Sequence, residues 1–465
     1  MKSAKEEEEA AAHAQWMMMM IQMMMMIPVL LLYCTVGSLD LLTMAECLCC
    51  LGRLGMRHSC CEEVRTVTAE VFLSFQHAST LRNAAPHNIS RTVPSSSSSS
   101  SSVPLSSVGN GVTLRSINAV LQGLLSTSIP HQRGVFYSQP QHMQQLLLEH
   151  IAHILLHHRQ ERYCDLGELL SLLVKLSVRY RRTSALFQRA MVVFLSTLRR
   201  EEVPVQGVSR LFYHLAKLEI NWTADLLLTI PDDDDEDEDD DDGDAGPDSV
   251  HSNLFGLVLA HKGVFEHMEV VSIVYALGKM GMDWSSGAVP AEVRSALYEE
   301  LQRVSSEMNG VSLSNVFWSM GRMGVRWSSD DDDDDDDVPS DLRSKLLQQL
   351  LRCSPLLPQS LSNTLLGFQK LRLDWSLLPP GLRASLLSTI TLSSSSSSSS
   401  SSDPLTEQCV ANIVWSLGSM GAGRDSVPHA VWDGLFASIV RLSPSFTQQG
   451  LVSCMIGKYY SYLIV

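Results

Sequence analysis

The sequence predicts an all-α protein, an α-solenoid of stacked helical hairpins with a period of about 40 residues. Three observations predict it. A fifteen-residue phrase recurs without internal gaps, clearest at 313–327 as LSNVFWSMGRMGVRW. Its apolar positions follow helical spacing. A second, proline-led phrase follows the copies from 270 onward, so each unit reads as two helices joined by a short corner.

The phrase recurs at 44–58, 166–180, 208–222, 270–284, 361–375 and 410–424, and an eighth copy opens at Leu451. A ninth, weaker copy lies between 114 and 129. Starts at 166 and 208, 270 and 313, and 410 and 451 are 42, 43 and 41 residues apart. The longer spacings carry homopolymer runs, eight aspartates at 330–337 and ten serines at 393–402. Without its run, each of those spacings returns to 40 or 39, so the runs are insertions into a regular period, expected to be looped out.

Within the phrase, positions 1, 4, 5, 8 and 11 are mostly apolar; in one copy they are Leu313, Val316, Phe317, Met320 and Met323. That spacing buries one face of a helix. Position 12 is Gly55, Gly281, Gly324 and Gly421 in four copies, which suits a left-handed residue ending a helix. Position 15 is usually a ring, as His58, Tyr180, Trp222, Trp284, Trp327 and Trp375. It is expected to plug the corner between two helices. The second helix opens at Val289-Pro290, Val338-Pro339, Leu378-Pro379 and Val427-Pro428, with proline tolerated in the first turn. One hairpin cannot bury its apolar faces alone, so the units must stack.

The organisation that follows is a low-complexity N-terminus at 1–43, an isolated repeat-like helix at 44–60 and a serine-rich linker at 61–113. The array occupies 114–465, with acidic insertions at 232–248 and 330–337. The net charge of −16 resides in those insertions, which hold 21 acidic groups; the remainder of the chain sums to +5. The scaffold is therefore mildly basic. The acidic runs read as inert solvated insertions, or as charge that repels a polyanion from one edge.

Residues 16–34 are nearly all apolar and contain two runs of four methionines. Three readings stay open: a membrane-contacting span, the apolar core of a targeting signal, or a translated triplet repeat. Cys47, Cys49, Cys50, Cys60 and Cys61 cluster near His58. They occupy packing positions of the phrase and read as small apolar residues rather than a zinc site. The cysteines form no regular disulfide framework, which favours a reducing compartment. His150, His153, His157 and His158 share helical spacing but bring no carboxylate motif. The sequence has no phosphate-cradling P-loop, no G-x-S-x-G and no H-E-x-x-H. No catalysis, cofactor or metal is expected.

Position 10 is the informative column. It holds Arg53, Lys175, Lys217, Lys279, Arg322 and Lys370, broken by Ser419 and Tyr460. Position 3 holds Asn315, Asn363 and Asn412, with Ser272, Arg210, Glu46, Glu168 and Ser453 elsewhere. Position 7 is often small, as Cys50, Ala276, Ser319, Gly367 and Ser416. Positions 3, 7 and 10 are expected on one stripe away from the apolar face. Stacked units then set six cations beside a row of varied polar groups. Cations track phosphates and amides meet base edges, so this surface suits single-stranded nucleic acid. The plainer reading is that Lys and Arg are good residues for any exposed helix face.

The wording "LSN…W…G.MG", then "LP..LR..LL", then Pro358 to Asn363 resembles octotricopeptide repeats. It is also similar to the leucine-rich helical region of FAST-kinase-like proteins. The likeness covers 166 to the C-terminus and 44–58 in isolation. It implies a non-catalytic mitochondrial or plastid protein. Such a protein binds organellar transcripts selectively and supports their processing, stability or translation. It implies single-stranded RNA as partner, alongside other organellar RNA-processing proteins. The family's RNA-facing variable positions map onto positions 3, 7 and 10. Many relatives carry a C-terminal RAP module, which is not found within this sequence. A protein-binding α-solenoid scaffold is the alternative.

Overall fold

The computed structural model describes residues 114–126, 141–157, 163–221, 250–284, 289–327, 338–395, 405–423 and 426–463. Among them are fifteen α-helices and no strand. The predicted fold class holds. The chain divides into two compact units, Met1–Phe194 and Leu195–Val465, so the array predicted as one is shared between them. The copy at 44–58, Trp222, the acidic runs and residues 16–34 lie outside the described residues.

In the first unit, α1 (Leu114–Ser126) packs on α2 (Gln141–His157) and α3 (Tyr163–Lys175). The weak ninth copy is thus a helix packed against the first helix of the copy at 166. Helix α4 (Ala185–Ser196) follows, and the boundary between the units falls inside it.

The second unit alternates first and second helices of the repeat. The first helices are α5 (Val205–Lys217), α7 (His267–Lys279), α9 (Gly310–Arg322), α11 (Pro358–Lys370), α13 (Glu407–Ser419) and α15 (Gln448–Leu463). The second helices are α6 (Val250–Ala260), α8 (Ala291–Val304), α10 (Ser340–Arg352), α12 (Pro380–Ser395) and α14 (His429–Leu442). Each first helix packs on the next first helix, from α5 to α15, and each second helix on the next second helix, from α6 to α14. Helices α7 and α8, α9 and α10, α11 and α12, and α13 and α14 also pack as hairpins. These contacts make a two-layer stack of hairpins, the arrangement an α-solenoid requires.

Each first helix from α5 to α13 is 13 residues long and begins three residues before position 1 of the phrase. Caps explain the earlier start. Asn309 and Thr406 accept hydrogen bonds from the Ser312 and Cys409 amides. Glu266 and Glu269 form a capping box. Proline sits at the N-cap of second helices, as Pro290, Pro339 and Pro428, rather than inside the first turn.

The helix ends share one geometry. Val325 N–H donates to Met320 O at 3.1 Å and Gly324 N–H to Gly321 O at 3.4 Å, a Schellman ending. The same pair of bonds recurs after α3, α5, α7, α11 and α13. Position 12 is left-handed in every one of these copies. Gly281, Gly324 and Gly421 have φ of 79°, 72° and 74°, and Ser177, Glu219 and Arg372 have φ of 59°, 63° and 57°. The buried residue after it, such as Val178, Ile220, Met282 or Val325, fastens the turn to the core.

The corner rings are buried as predicted: Tyr180, Trp284, Trp327 and Trp375 are 1–4% exposed. Trp327 packs on Phe317 at 5.6 Å between centroids, and Phe317 meets Phe368 of the next copy edge-on at 4.8 Å. The corners also bond across copies. Trp284 N–H donates to Met323 O at 2.9 Å, and Trp375 N–H to Met420 O at 2.8 Å. The serine run departs from expectation. Ser393 to Ser395 continue α12, where Ser394 Oγ bonds back to Ile390 O at 2.6 Å. No helix among the described residues is long and apolar enough to cross a membrane.

Candidate nucleic-acid interface

Position 10 is the last residue of α3, α5, α7, α9 and α11, so each described cation of the column closes a helix C-terminus. A positive charge there also complements the helix dipole, which gives the column a local reason to be basic. In the second unit, Lys217, Lys279, Arg322 and Lys370 sit on consecutive packed helices α5, α7, α9 and α11. Lys217 and Lys279 are half-buried, and Arg322 and Lys370 are exposed.

The cations feel one another. The Lys279 ammonium is held below its ordinary value, chiefly by partial burial and next by the charge of Lys217. Glu219 opposes the shift, and Arg322 adds to it. The Lys370 Cβ lies 2.7 Å from where a Cβ on Gly321 would stand, which places its stem against the residue preceding Arg322 in α9. Four cations therefore form one file along the first-helix layer. Ser419 ends it. Lys175 is exposed at the end of α3 in the first unit, and Arg53 lies outside the described residues.

The position-3 residues Asn315, Asn363 and Asn412 are all half-buried on the same helices. Their hydrogen bonding differs. Gln359 donates to Asn363 Oδ1, and Gln408 to Asn412 Oδ1, each at 2.9 Å. Asn412 Nδ2 donates to Ser362 Oγ at 3.1 Å, so both ends of that amide are engaged. Asn315 makes no side-chain hydrogen bond among the described residues; four residues before it stands Val311, which offers no amide.

Position 7 is not on the open stripe. Ala276, Ser319 and Ser416 are fully buried, and Gly367 is buried as well. A Cβ on Gly367 would stand 2.5 Å from the Phe317 carbonyl carbon, and one on Gly457 would stand 2.6 Å from Val414 O. Position 7 is small because the preceding first helix runs directly against it. Position 9 answers from the other side: a Cβ on Gly278 would meet the Ser319 Cα at 2.8 Å.

Position 6 takes the place assigned to position 7, and sequence reasoning missed it. It holds Tyr213, Tyr275 and Trp318 in three consecutive copies, all at least partly open to solvent. Tyr213 and Tyr275 lie 6.4 Å apart between centroids with planes at 34°; Tyr275 and Trp318 stack at 5.7 Å and 30°. Lys217 Nζ lies 5.2 Å from the Tyr213 ring centre and 5.8 Å from that of Tyr275. The Arg322 guanidinium sits 5.4 Å from Trp318. The signal was legible as a recurring ring at one phrase position, and only the helix-to-helix contacts distinguish it from core.

Among the described residues, no group of three or more His, Cys, Asp or Glu side chains is placed to hold a metal ion. His150 is buried in α2. Set against family models and curated proteins, the chain matches none of either.

Proposed function

We propose that the protein binds single-stranded RNA along the first-helix layer of its second unit, without catalysis of its own. The observation that carries this reading is the file of Lys217, Lys279, Arg322 and Lys370. The Lys279 ammonium is depressed first by partial burial and then by Lys217 and Arg322, so the cations are close enough to repel one another. Like charges held this near one another cost the free protein energy, and a polyanion lying along the file relieves that cost. A single strand is favoured over a duplex because polar and aromatic side chains stand beside the cations, where unpaired bases offer edges and faces.

The resemblance to octotricopeptide repeats supports an organellar transcript as the ligand and a mitochondrial or plastid location. It also supports a role in RNA processing, stability or translation beside other RNA-processing proteins. The test is equilibrium binding of the full chain to a single-stranded RNA pool across a salt series. Binding that weakens steadily with salt is the expected result. Absence of salt-dependent binding to any pool overturns the proposal and leaves a protein-binding scaffold as the better account. Crosslinking in cells followed by sequencing of bound RNA would then identify the transcript.

A further inference from the structure

The basic file does not account for the rings beside it. Tyr213 is 37% exposed, and Tyr275 and Trp318 are half-buried, on helices whose other large apolar side chains past the first turn are buried; in the first turns Val205 is half-buried and Met268 and Val311 are exposed. We infer that Tyr213, Tyr275 and Trp318 form a nucleobase-stacking strip. In this arrangement the base-dependent part of the affinity is concentrated in the copies beginning at 208, 270 and 313. It is not spread evenly as one base per copy. This inference rests on the RNA reading above.

Three features of the strip favour bases. Its rings lie near-parallel from copy to copy, with Tyr275 stacked on Trp318, so they form one continuous aromatic strip that is partly open to solvent. Their spacing of 5.7 and 6.4 Å is that of rings packed on one another, so bases meet the strip from its solvent side and not between its rings. Lys217 and Arg322 already lie against the rings, which puts a phosphate-tracking charge within one side chain of a base-binding face.

The copy at 361 interrupts the strip. Leu366 replaces the ring in the copy at 361, which separates Trp415 from the strip. The Asn412 amide is engaged at both ends and the Asn363 oxygen accepts from Gln359, so a base must displace protein hydrogen bonds there. The two halves of the face are thus unequal: stacking at one end, a pre-satisfied amide network at the other.

The test compares the full chain with a variant carrying Tyr213→Leu, Tyr275→Leu and Trp318→Leu. Leucine is the residue this chain itself uses at position 6 in Leu366. Each protein is titrated with a single-stranded RNA pool and with an abasic strand of the same length, at several salt concentrations. The native chain should prefer the base-bearing strand. The variant should lose that preference, about tenfold in affinity per ring, with its salt slope unchanged. Trp415→Leu should keep the preference.

A triple variant that keeps the full preference while still binding with native salt dependence overturns the strip and leaves the RNA reading standing. Failure of the native chain to bind either strand overturns both. If the triple variant does not fold, 4-thiouridine RNA crosslinked to the native chain decides: crosslinks should fall on peptides holding Tyr213, Tyr275 or Trp318. Crosslinks confined to 361–419 sink the inference.

Discussion

Arg343 Nη1 donates a hydrogen bond to the Trp327 carbonyl oxygen at 2.6 Å, tying the second helix of a hairpin to its corner. Arg294 does the same to Trp284 at 3.2 Å in the copy before. In these two copies the arginine four residues after the corner proline is therefore a corner clamp. Its guanidinium reaches a carbonyl that lies beyond the Schellman ending and outside the helix ladder. A charged donor to a carbonyl is worth about 1.5–3 kcal/mol, so Arg343→Met should lower unfolding stability by about 1–2 kcal/mol. Arg343→Lys should recover part of the loss. A denaturation series that places Arg343→Met within error of the native protein would show the clamp to be idle.

The corner ring itself should matter more. Trp327 is 4% exposed and packs on Phe317, which in turn meets Phe368 of the next copy. Trp327→Ala should cost about 3–5 kcal/mol, as truncations of large buried aromatics do. Because each copy contacts only its neighbours, the loss should centre on the copies at 313 and 361. Hydrogen exchange across the second unit reads this directly: faster exchange in α9 to α11 with α14 and α15 unchanged.

Position 12 offers a test of opposite sign. All six described copies with the ending adopt a left-handed residue there, but Ser177, Glu219 and Arg372 hold it without glycine. A side chain in that region costs about 1 kcal/mol or somewhat more. Arg372→Gly should therefore raise stability by about 0.5–1 kcal/mol, and Gly324→Ala should lower it by about 1 kcal/mol. Thermal melts moving the same way for both substitutions would contradict the shared ending.

The hairpins were legible because their causes are local. A 3.6-residue apolar stripe, a glycine at position 12 and a ring at position 15 each act within one copy. The functional face was legible only in part. Positions 3, 6, 7 and 10 are all neighbours on one side of a helix, and a single helix does not tell which edge of that side its neighbour covers. Small residues at position 7 look neutral in sequence; Gly367 and Ser319 are small because a backbone passes against them. Tyr213, Tyr275 and Trp318 look like core, yet Tyr213 is exposed and the other two are only half-buried. A recurring arginine was visible at 294, 343 and 383, but only Arg294 and Arg343 make the clamp, and their partner is a backbone carbonyl, which sequence does not display.

Lys279 gives the face a pH dependence. Its folded pKa is lowered by burial, Lys217 and Arg322, with Glu219 opposing, so the charged form is penalised in the free protein. Stability should accordingly rise as pH climbs through the lowered value toward 10.5, the window in which the unfolded chain binds the extra proton. Lys279→Met should remove the penalty, slightly stabilise the free protein and flatten that pH trend. RNA binding should run the other way, weakening as pH rises through the same window. Arginine stays charged there, so Lys279→Arg should hold its affinity. Identical pH profiles for native protein and Lys279→Arg would remove Lys279 from the binding face.

The file of cations sets the salt dependence. Six contacts, as the sequence alone implies, give a slope of log K against log salt of about −4, at about −0.7 per contact to a single strand. Of those six, Lys217, Lys279, Arg322 and Lys370 lie on the second unit, which lowers the expectation for that unit to about −3. Charge reversal at Lys279, Arg322 and Lys370 should weaken binding to every sequence and leave a slope of about −1 or shallower. Asn315→Ala should behave differently, because this amide is uncommitted among the described residues. It should change the preferred base without changing the slope. Asn412→Ala, whose amide already serves Gln408 and Ser362, should change that preference less. A native slope near zero, or a reversal variant that keeps the native slope, would mean that the cations close helices and do nothing more.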